Sequence, residues 1–243
     1  MIIAVIPCLN ESKYLAEVIN KAKKYTDKVI VSDDGSSDDT VDVALSHGAE
    51  IVLSNGVHGA GINTWGGIHR ALLNSADVIV TLDGDGQHNA DEIPLVVQPI
   101  IENKADLVIG SRYLDSKNNM PVYRKLGITL ITRICNIKYK KKIADGQSCF
   151  RAYNRRILND ISPFKEKGFA FSVETLIKAK SFGYRIVEVP ITCIYHKEFG
   201  GNSSLNPLKH GVIVFWGVLR WRYKLELIPR VKKRIFKLKK IFK

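Results

Sequence analysis

The segment that most directly suggests chemistry is TLDGDGQH, at residues 81–88. It places two carboxylates, Asp83 and Asp85, after an apolar run, with glycines between and after them and Gln87 two residues on. Oxygen ligands of this kind suit Mg²⁺ or Mn²⁺, which keeps bound water and bridges to the phosphates of a substrate. Asp-Gly pairs are also common turn formers, so the segment alone has a purely structural explanation as well.

A second acidic segment, SDDGSSDDT, spans residues 32–40. A carboxylate that follows the second strand of an α/β nucleotide-binding protein commonly holds a ribose or a base. Asp33 and Asp34 are therefore candidate nucleoside contacts. The residues from Ser36 to Thr40 also suit the capped start of a helix, and the two interpretations are compatible.

The elements that must position these groups are short apolar runs that alternate with helix-like runs. We predict strands at 2–7, 29–32, 50–54, 78–82 and 106–110, and helices at 13–25, 38–45, 62–74 and 91–102. This alternation predicts βαβ units, hence an α/β fold with a mostly parallel central sheet. Ligands of such sheets bind at the carboxyl ends of the strands. The polar residues follow these ends: Asn10 and Glu11, Asp33 and Asp34, Asp83 and Asp85, Ser111 and Arg112.

The second half of the sequence is less regular. It predicts helices at 124–139 and 173–183 and a strand at 186–195. Between them, DGQSCFRAY at 145–153 is a polar loop that enters an apolar segment.

Several function classes lack their motifs in this chain. Neither G-x-G-x-x-G at a suitable place nor G-x-x-x-x-G-K-[ST] occurs, which disfavours NAD enzymes and P-loop enzymes. The absence of G-x-S-x-G disfavours an α/β-hydrolase. No window holds about 18 uncharged apolar residues, so the sequence predicts no helix that spans a membrane.

The positive charge is concentrated at the carboxyl end. Of the formal net charge of +13, residues 220–243 carry +10, from eleven Lys or Arg residues and one acid, Glu226. A nucleic-acid binder would usually place such charge on its folded domain, whereas residues 1–219 carry only +3. The charge therefore calls for an explanation specific to the tail.

The tail also has helical periodicity. Its apolar residues recur three and four apart, which places them on one face of a helix: Ile228, Val231, Ile235, Leu238 and Phe242. Trp216, Trp221 and Tyr223 lie just upstream and are residue types that favour the membrane–water boundary. We predict a basic amphipathic helix on an anionic membrane surface, and no nucleic-acid partner. A solvated charged tail or an RNA-binding tail is the alternative.

Taken together, the motifs resemble family 2 glycosyltransferases, in particular the branch of dolichyl- and polyprenyl-phosphate sugar synthases. The matching segments run in family order up to about residue 195: PCLNE (7–11), SDDGSSDDT (32–40), LDGDGQH (82–88), DLVIGSRY (106–113), DGQSCFRAY (145–153), FSVETL (171–176) and VEVPI (187–191). The resemblance implies a Rossmann-like nucleotide-diphospho-sugar transferase domain of the GT-A type. We expect this catalytic domain at 1–205, with a nucleotide-sugar half at 1–115, an acceptor half at 116–205, and the membrane-surface tail at 206–243.

The resemblance also implies roles for individual residues on the donor side. Asp85 is implied as the principal ligand of Mg²⁺ or Mn²⁺, with Gln87 beside it and Asp83 near the diphosphate and sugar. The implied nucleotide-sugar contacts are Pro7, Asn10, Glu11, Asp33, Asp34 and Asp83.

On the acceptor side, the resemblance implies that Arg112 and Arg124 face phosphates and that Asp145 and Ser148 border the acceptor. Lys197 is the basic residue nearest to the late glycine-rich loop, where the family places a basic residue. The expected catalytic set is Asp83, Asp85, Arg112 and Asp145.

The implied reaction is a metal-dependent, inverting transfer of a sugar from a UDP- or GDP-linked donor to a polyprenyl phosphate. The enzyme would be peripheral, at the cytoplasmic face of the cell membrane. A lipid phosphate is already an oxyanion at neutral pH, so it needs no strong general base, unlike a sugar hydroxyl.

Three alternatives stay open. The first is a family 2 glycosyltransferase with a hydroxyl acceptor in glycan or glycoprotein synthesis, for which Asp145 is a possible base. The second is a sugar-1-phosphate nucleotidyltransferase, which would need a glycine- and arginine-rich loop where this chain has PCLNE. The third is a non-catalytic nucleotide-sugar or membrane-binding module, which the intact pair of Asp83 and Asp85 disfavours.

Overall fold

A computed structural model describes residues 1–114, 122–137, 139, 142–194 and 207–227, with the side chains of 122–124, 207–210 and 226–227 left out of that description. The strands are β1 (Ile2–Cys8), β2 (Lys28–Asp33), β3 (Glu50–Leu53), β4 (Val78–Thr81), β5 (Leu107–Ser111), β6 (Arg151–Asn154) and β7 (Ile186–Pro190). The α-helices are α1 (Ser12–Ala22), α2 (Thr40–Ser46), α3 (Ala60–Leu73), α4 (Ile93–Ile101), α5 (Val122–Asn136), α6 (Arg155–Ile161), α7 (Phe171–Ser181) and α8 (Pro207–Arg222). A short 3₁₀ turn, Ala90–Glu92, precedes α4, and a π-turn, Tyr223–Leu227, follows α8.

Within the described ranges the seven strands form one sheet in the order β3-β2-β1-β4-β6-β5-β7. Strand β6 runs antiparallel to both of its neighbours, and the other pairs are parallel. The predicted α/β fold with a mostly parallel sheet is therefore confirmed. The strand order reverses between β1 and β4, and ligands of open α/β sheets bind at such a switch point.

The sheet is buried on both faces, as the nearly continuous apolar runs of its strands require. Successive side chains of β1 point to opposite faces, so Ile3 and Val5 join one core cluster while Ala4 and Ile6 join the other. Helices α1, α2 and α4 cover the second cluster, and α3, α5, α6, α7 and α8 contribute to the first. The result is a helix–sheet–helix sandwich whose strand ends are open at one edge.

Two predicted segments differ from the structure. Residues 151–153, predicted as part of the polar loop 145–153, belong instead to β6 (Arg151–Asn154), which lies between β4 and β5. The predicted strand 186–195 ends at Pro190. Beyond it the backbone N–H of Thr192 donates to the Glu92 carboxylate at 3.0 Å, so the chain leaves the ladder.

Helix α8 packs against α7 and α5 and adds an outer layer on one side of the molecule. Its Val214, Val218 and Trp221 belong to the core cluster. The prediction that Trp221 anchors the chain in a membrane surface is wrong, because its side chain is only 6% exposed and packs inward. Trp216 and Tyr223 are exposed, as that prediction requires. The amphipathic helix predicted from Ile228 onward lies outside the described residues.

Two broader features of the organisation follow from these contacts. Strand β6 of the predicted acceptor half, 116–205, pairs with two strands of the predicted nucleotide-sugar half, 1–115, so both halves share one sheet. In the part of the chain that the structure describes, no helix is both long and apolar enough to cross a membrane.

Candidate active site

The ends of β1, β2 and β4 lie side by side and bring three motifs together. Pro7 pairs with Ser32 in the parallel ladder of β1 and β2. On the other side of β1, Val5 pairs with Thr81, two residues before Asp83. The acidic residues that follow these strands therefore meet at the switch point, as the sequence predicts.

The two carboxylates that follow β2 organise the backbone around them. Asp33 accepts hydrogen bonds from the backbone N–H of Ser36, at 3.0 Å, and from the hydroxyl of the same residue. Asp34 accepts from the backbone N–H groups of His58 and Gly59, both at 2.8 Å. Both carboxylates are buried, so they set the shape of the loops that line this edge of the sheet.

The segment after β1 is fastened to the segment after β2. The backbone N–H of Asn10 donates to the Ser36 hydroxyl at 2.9 Å. The side-chain oxygen of Asn10 accepts from the backbone N–H of Ser37 at 2.8 Å. The N–H of Glu11 donates to the Thr40 hydroxyl at 2.8 Å. These bonds fix the backbone at Glu11, whose carboxylate interacts electrostatically with Asp85 and Asp83 after β4.

Glu11, Asp83 and Asp85 form an electrostatically coupled carboxylate group. Burial, with repulsion from Asp85 and Asp83, raises the pKa of Glu11 to about 8. Burial also raises the pKa of Asp83 to about 6, opposed by the positive charge of Arg112. Asp85 accepts the N–H of Gln87 at 2.9 Å, which closes the turn. Among the described residues no three His, Cys, Asp or Glu side chains converge into a complete metal cage.

Arg112 and Asp145 form a two-pronged ion pair next to this carboxylate group. The Nε and one terminal nitrogen of Arg112 donate to the two oxygens of Asp145, at 2.7 and 2.9 Å. Asp145 is 0% exposed. Burial by itself would raise the pKa of Asp145, but the Arg112 guanidinium holds it below its usual range. Asp145 is therefore a fixed anion that orients Arg112.

Two residues that the sequence analysis did not single out hold the loop that carries Asp145. Buried Arg151, on β6, donates to the backbone carbonyls of Ser148 and Gly146 at 2.7 and 2.9 Å. Glu188, on β7, accepts the backbone N–H of Asp145 at 2.8 Å. Both residues stand in the DGQSCFRAY and VEVPI segments, but neither segment indicates which backbone groups they bind.

His88 has a structural position beside Asp83. The histidine is buried, and its Nδ1 lies 3.3 Å from the Asp83 backbone nitrogen. Its ring packs on that of Phe150, with centroids 5.4 Å apart, and burial lowers its pKa to about 4. A neutral His88 thus accepts from the Asp83 N–H and supports the turn.

Of the remaining predicted acceptor residues, the structure describes only Ser148 in full. The N–H of Ser148 donates to Asp145 at 3.1 Å, and its buried hydroxyl has no hydrogen-bond partner among the described residues. Arg124 lies on α5, with its side chain outside the description, and Lys197 lies outside the described residues altogether. Their predicted contacts with phosphate stay predictions.

The sequence profile of the family "Glycosyl transferase family 2" matches residues 3–162, more than half of the chain. The chain belongs to glycosyltransferase family 2. Its relatives include the UDP-N-acetylglucosamine–dolichyl-phosphate N-acetylglucosaminyltransferase of Methanococcus voltae, 33% identical over 80% of this chain and 86% of that protein. The undecaprenyl-phosphate mannosyltransferase of Micrococcus luteus is 29% identical over 92% of this chain and 99% of that protein.

The fold of this glycosyltransferase matches solved structures as well. The glucosyl-3-phosphoglycerate synthase of Mycobacterium tuberculosis, solved with Mn²⁺, uridine diphosphate and phosphoglyceric acid, superposes with a TM-score of 0.70. The match covers 92% of this chain and 78% of that one at 20% identity, so it is evidence for the fold alone. The predicted GT-A type of α/β domain is confirmed by this likeness.

Proposed function

We propose that this glycosyltransferase moves a sugar from a UDP- or GDP-linked donor to a polyprenyl phosphate at the cytoplasmic face of the cell membrane. The observation that carries the proposal is the position of Arg112. Its guanidinium is oriented by Asp145 and lies within electrostatic reach of Asp83. A cation beside a metal-type carboxylate group suits a reaction that brings two phosphate-bearing substrates together.

The donor would bind at the switch point between β1 and β4. Pro7, Asn10, Glu11, Asp33 and Asp34 would line the nucleoside side, because their segments are hydrogen-bonded to one another there.

The residues present fit a divalent cation. Asp83, Asp85 and the Gln87 side chain offer hard oxygen ligands. Burial, together with repulsion from Asp85 and Asp83, raises the pKa of Glu11, and a bound cation would relieve that repulsion. Because these groups do not make a complete cage among the described residues, the diphosphate of the donor would supply the other ligands. When bound, Mg²⁺ or Mn²⁺ supplies Lewis-acid stabilisation of the departing nucleoside diphosphate.

The acceptor phosphate would bind next to Arg112, with Arg124, Ser148 and Lys197 as further phosphate contacts. The buried hydroxyl of Ser148, unpartnered among the described residues, supports this assignment, because a buried polar group without a partner costs about 1–3 kcal/mol that a ligand can recover. We assign Asp145 to positioning Arg112. The names of both relatives support a polyprenyl phosphate acceptor, dolichyl in one and undecaprenyl in the other.

A hydroxyl acceptor fits the geometry less well. It needs a base, and Asp145 is the candidate for that role. This carboxylate is fully buried, engaged by both prongs of Arg112 and held at a low pKa. These properties make it a poor proton acceptor, whereas a lipid phosphate requires none.

The surface around α8 supports contact with an anionic membrane. Beside its buried side, α8 exposes apolar residues, with Trp216 60% exposed, and two cationic residues lie near them, Arg220 and Lys224. Neighbouring α5 exposes Leu126 and Leu130. We define the membrane face as the exposed residues Leu126, Leu130, Val212, Ile213, Trp216, Leu219, Arg220, Tyr223 and Lys224. The basic residues 228–243 would add to its charge.

The proposal is tested by transfer of labelled sugar into a lipid fraction. Purified enzyme with Mn²⁺ and a short polyprenyl phosphate is incubated with radiolabelled UDP- and GDP-sugars, and label is counted after extraction into organic solvent. We expect label from one donor and its loss on chelation with EDTA. Asp85→Asn should abolish it, whereas Asp42→Asn, an exposed carboxylate in the first turn of α2, should not.

The outcome discriminates between acceptors. Organic-phase label that depends on Asp85 supports the lipid-phosphate reaction and identifies the sugar. Release of nucleoside diphosphate only when a glycan is supplied would replace it with the hydroxyl-acceptor alternative. Failure to bind any nucleotide-sugar would contradict both.

A further inference from the structure

We infer that Glu166 is a positioning residue that links helix α8 to the backbone segment 58–61 beside the donor site. The inference rests on the proposed function in one respect, the binding of the nucleoside diphosphate near Asp34. The loop of Glu166, residues 162–168, lies between α6 and α7 and touches both α8 and the start of α3.

The link begins on α8. The indole Nε1 of Trp221 donates to the Glu166 carboxylate at 2.9 Å, and Arg220 donates to the same oxygen at 3.1 Å. The Trp221 ring also contacts two cations, with the Nζ of Lys178 4.7 Å and that of Lys224 5.1 Å from a ring centroid. The carboxylate of Glu166 therefore has a defined place on the inner side of α8.

Helix α7 holds the backbone of this loop through hydrogen bonds. The fully buried carboxylate of Glu174 accepts the N–H of Lys165 at 2.9 Å and that of Glu166 at 2.7 Å. Lys178 pairs with Glu174 at 2.6 Å and donates to the carbonyl of Ile161, also at 2.6 Å. Helix α7 thus holds the backbone N–H of Glu166 and α8 holds its carboxylate, so the two contacts together define where the carbonyls of Glu166 and Lys167 lie.

The backbone carbonyls of Glu166 and Lys167 contact the start of α3 directly. The Lys167 carbonyl accepts the N–H of Gly61 at 2.7 Å. A Cβ on Gly61 would lie only 2.1 Å from the Glu166 carbonyl oxygen, and one on Gly59 only 2.7 Å from that of Lys167. The two backbones are in contact without intervening side chains, so a shift of the loop must move segment 58–61.

Segment 58–61 in turn fixes the position of the Asp34 carboxylate. Both oxygens of this buried carboxylate accept backbone N–H groups of the segment, from His58 and Gly59. A continuous series of hydrogen bonds and backbone contacts therefore runs from Trp221 through Glu166 to Asp34. It starts on the helix that carries most of the membrane face and ends at a proposed nucleoside contact.

The test measures nucleotide binding by calorimetry with Mn²⁺ and UDP or GDP, on the full chain. Glu166→Ala removes the acceptor of Trp221 and Arg220, and we expect the Kd of the nucleotide to rise about fivefold, the equivalent of one lost hydrogen bond. Glu166→Gln keeps an acceptor oxygen and should stay within about twofold of wild type. Glu102→Ala, an exposed carboxylate after α4, is the matched control.

A kinetic readout separates positioning from stability. The KM for the nucleotide-sugar should rise by the same factor in Glu166→Ala, with kcat and the KM for the acceptor unchanged. Trp221→Phe keeps a buried ring but removes the indole N–H, so it should raise the same KM by the same factor. If Glu166→Ala does not fold, Trp221→Phe alone tests the inference.

Two negative results have different meanings. If wild type binds nucleotide and folded variants lose melting temperature while Kd and KM stay unchanged, Glu166 is merely structural and this inference is wrong. If wild type binds neither UDP nor GDP, the donor site of the proposed function is wrong, and the inference is overturned with it.

Discussion

At the scale of single residues, the pKa and the role of each charged group depend on the groups that it contacts. Asp145 and Asp83 are both aspartates near the same edge of the sheet, yet the Arg112 ion pair lowers the pKa of one, while burial leaves that of the other raised, at about 6. Asp145 is a permanent anion because both its oxygens accept from one guanidinium. It therefore orients Arg112. The Asp83 carboxylate is largely surrounded by protein, yet 36% of its side-chain surface stays exposed, so a ligand can reach it.

The geometry of this pair predicts the effect of a charge-preserving substitution. Arg112→Lys keeps the positive charge but lacks the planar fork that binds both oxygens of Asp145, so the cation loses its orientation. We expect kcat/KM to fall by about 100-fold, or about 2.7 kcal/mol of transition-state stabilisation. Steady-state kinetics of sugar transfer measure this, with Arg70→Lys, which pairs with Glu50 away from the site, as control. An Arg112→Lys enzyme with wild-type kinetics would show that bidentate orientation is unimportant.

Asp145→Asn tests how much the ion pair of Arg112 and Asp145 contributes to the free energy of unfolding. The amide fits the space but leaves Arg112 without a buried countercharge, and breaking such a pair typically costs about 3–5 kcal/mol. Denaturation in urea should show a loss of this size in the free energy of unfolding. Asp42→Asn on exposed α2 should change it little, and equal stability of the two variants would contradict a buried pair.

At the scale of elements, close backbone approach determines how α3 is placed. Gly61 lies where the carbonyls of Glu166 and Gly168 leave no room for a side chain. By contrast, a Cβ added to Gly127, inside α5, would meet no atom of another element within 4 Å, so this glycine has no packing role among its described neighbours. A glycine inside a helix is therefore required where the backbone of another element approaches it, as at Gly61, and can be replaced where none does, as at Gly127.

These two glycines give a matched pair of substitutions. Gly61→Ala should lower the free energy of unfolding by about 2 kcal/mol or more, because α3 or loop 162–168 must shift to admit the methyl group. Gly127→Ala should raise it by roughly 0.5–1 kcal/mol, because alanine favours a helix over glycine. Thermal and urea unfolding of both variants measure the difference, and a neutral Gly61→Ala would contradict the tight contact.

At the scale of the whole molecule, charge and exposed apolar surface are concentrated toward the carboxyl end. The last 24 residues carry +10 of the net charge, and α8, where they begin, exposes Val212, Ile213 and Trp216. We proposed above that Arg112 binds the acceptor phosphate and that these exposed residues contact lipid headgroups. A polyprenyl phosphate is confined to the bilayer, so the proposed reaction requires such a surface.

Co-sedimentation with vesicles tests the membrane face. We expect the protein to bind vesicles that contain phosphatidylglycerol better than vesicles of phosphatidylcholine alone, and to be released as salt rises. Trp216→Glu should weaken binding severalfold by adding a negative charge to an apolar contact. Leu95→Glu, at an exposed apolar site on α4, is the control. Binding that neither salt nor Trp216→Glu affects would contradict the membrane face.

The sequence by itself determined the α/β class, the five strands of the first half and the motifs at their ends. Alternating apolar runs and short polar motifs are local signals, and parallel strands bring their carboxyl ends to one edge without further information. The placement of Glu11, Asp33 and Asp83 around the switch point follows from that rule, and the structure agrees with it.

Only the tertiary structure decided which residues are partners. Arg112 and Asp145 are 33 positions apart, and Trp221 and Glu166 are 55 apart, so no local pattern pairs them. Strand β6 is four residues long and includes a buried arginine, Arg151, so it is recognisable as a strand only between β4 and β5. Trp221 faces inward because a hydrogen-bond acceptor and two cations meet it there, which is a property of the packed helices and not of the residue type.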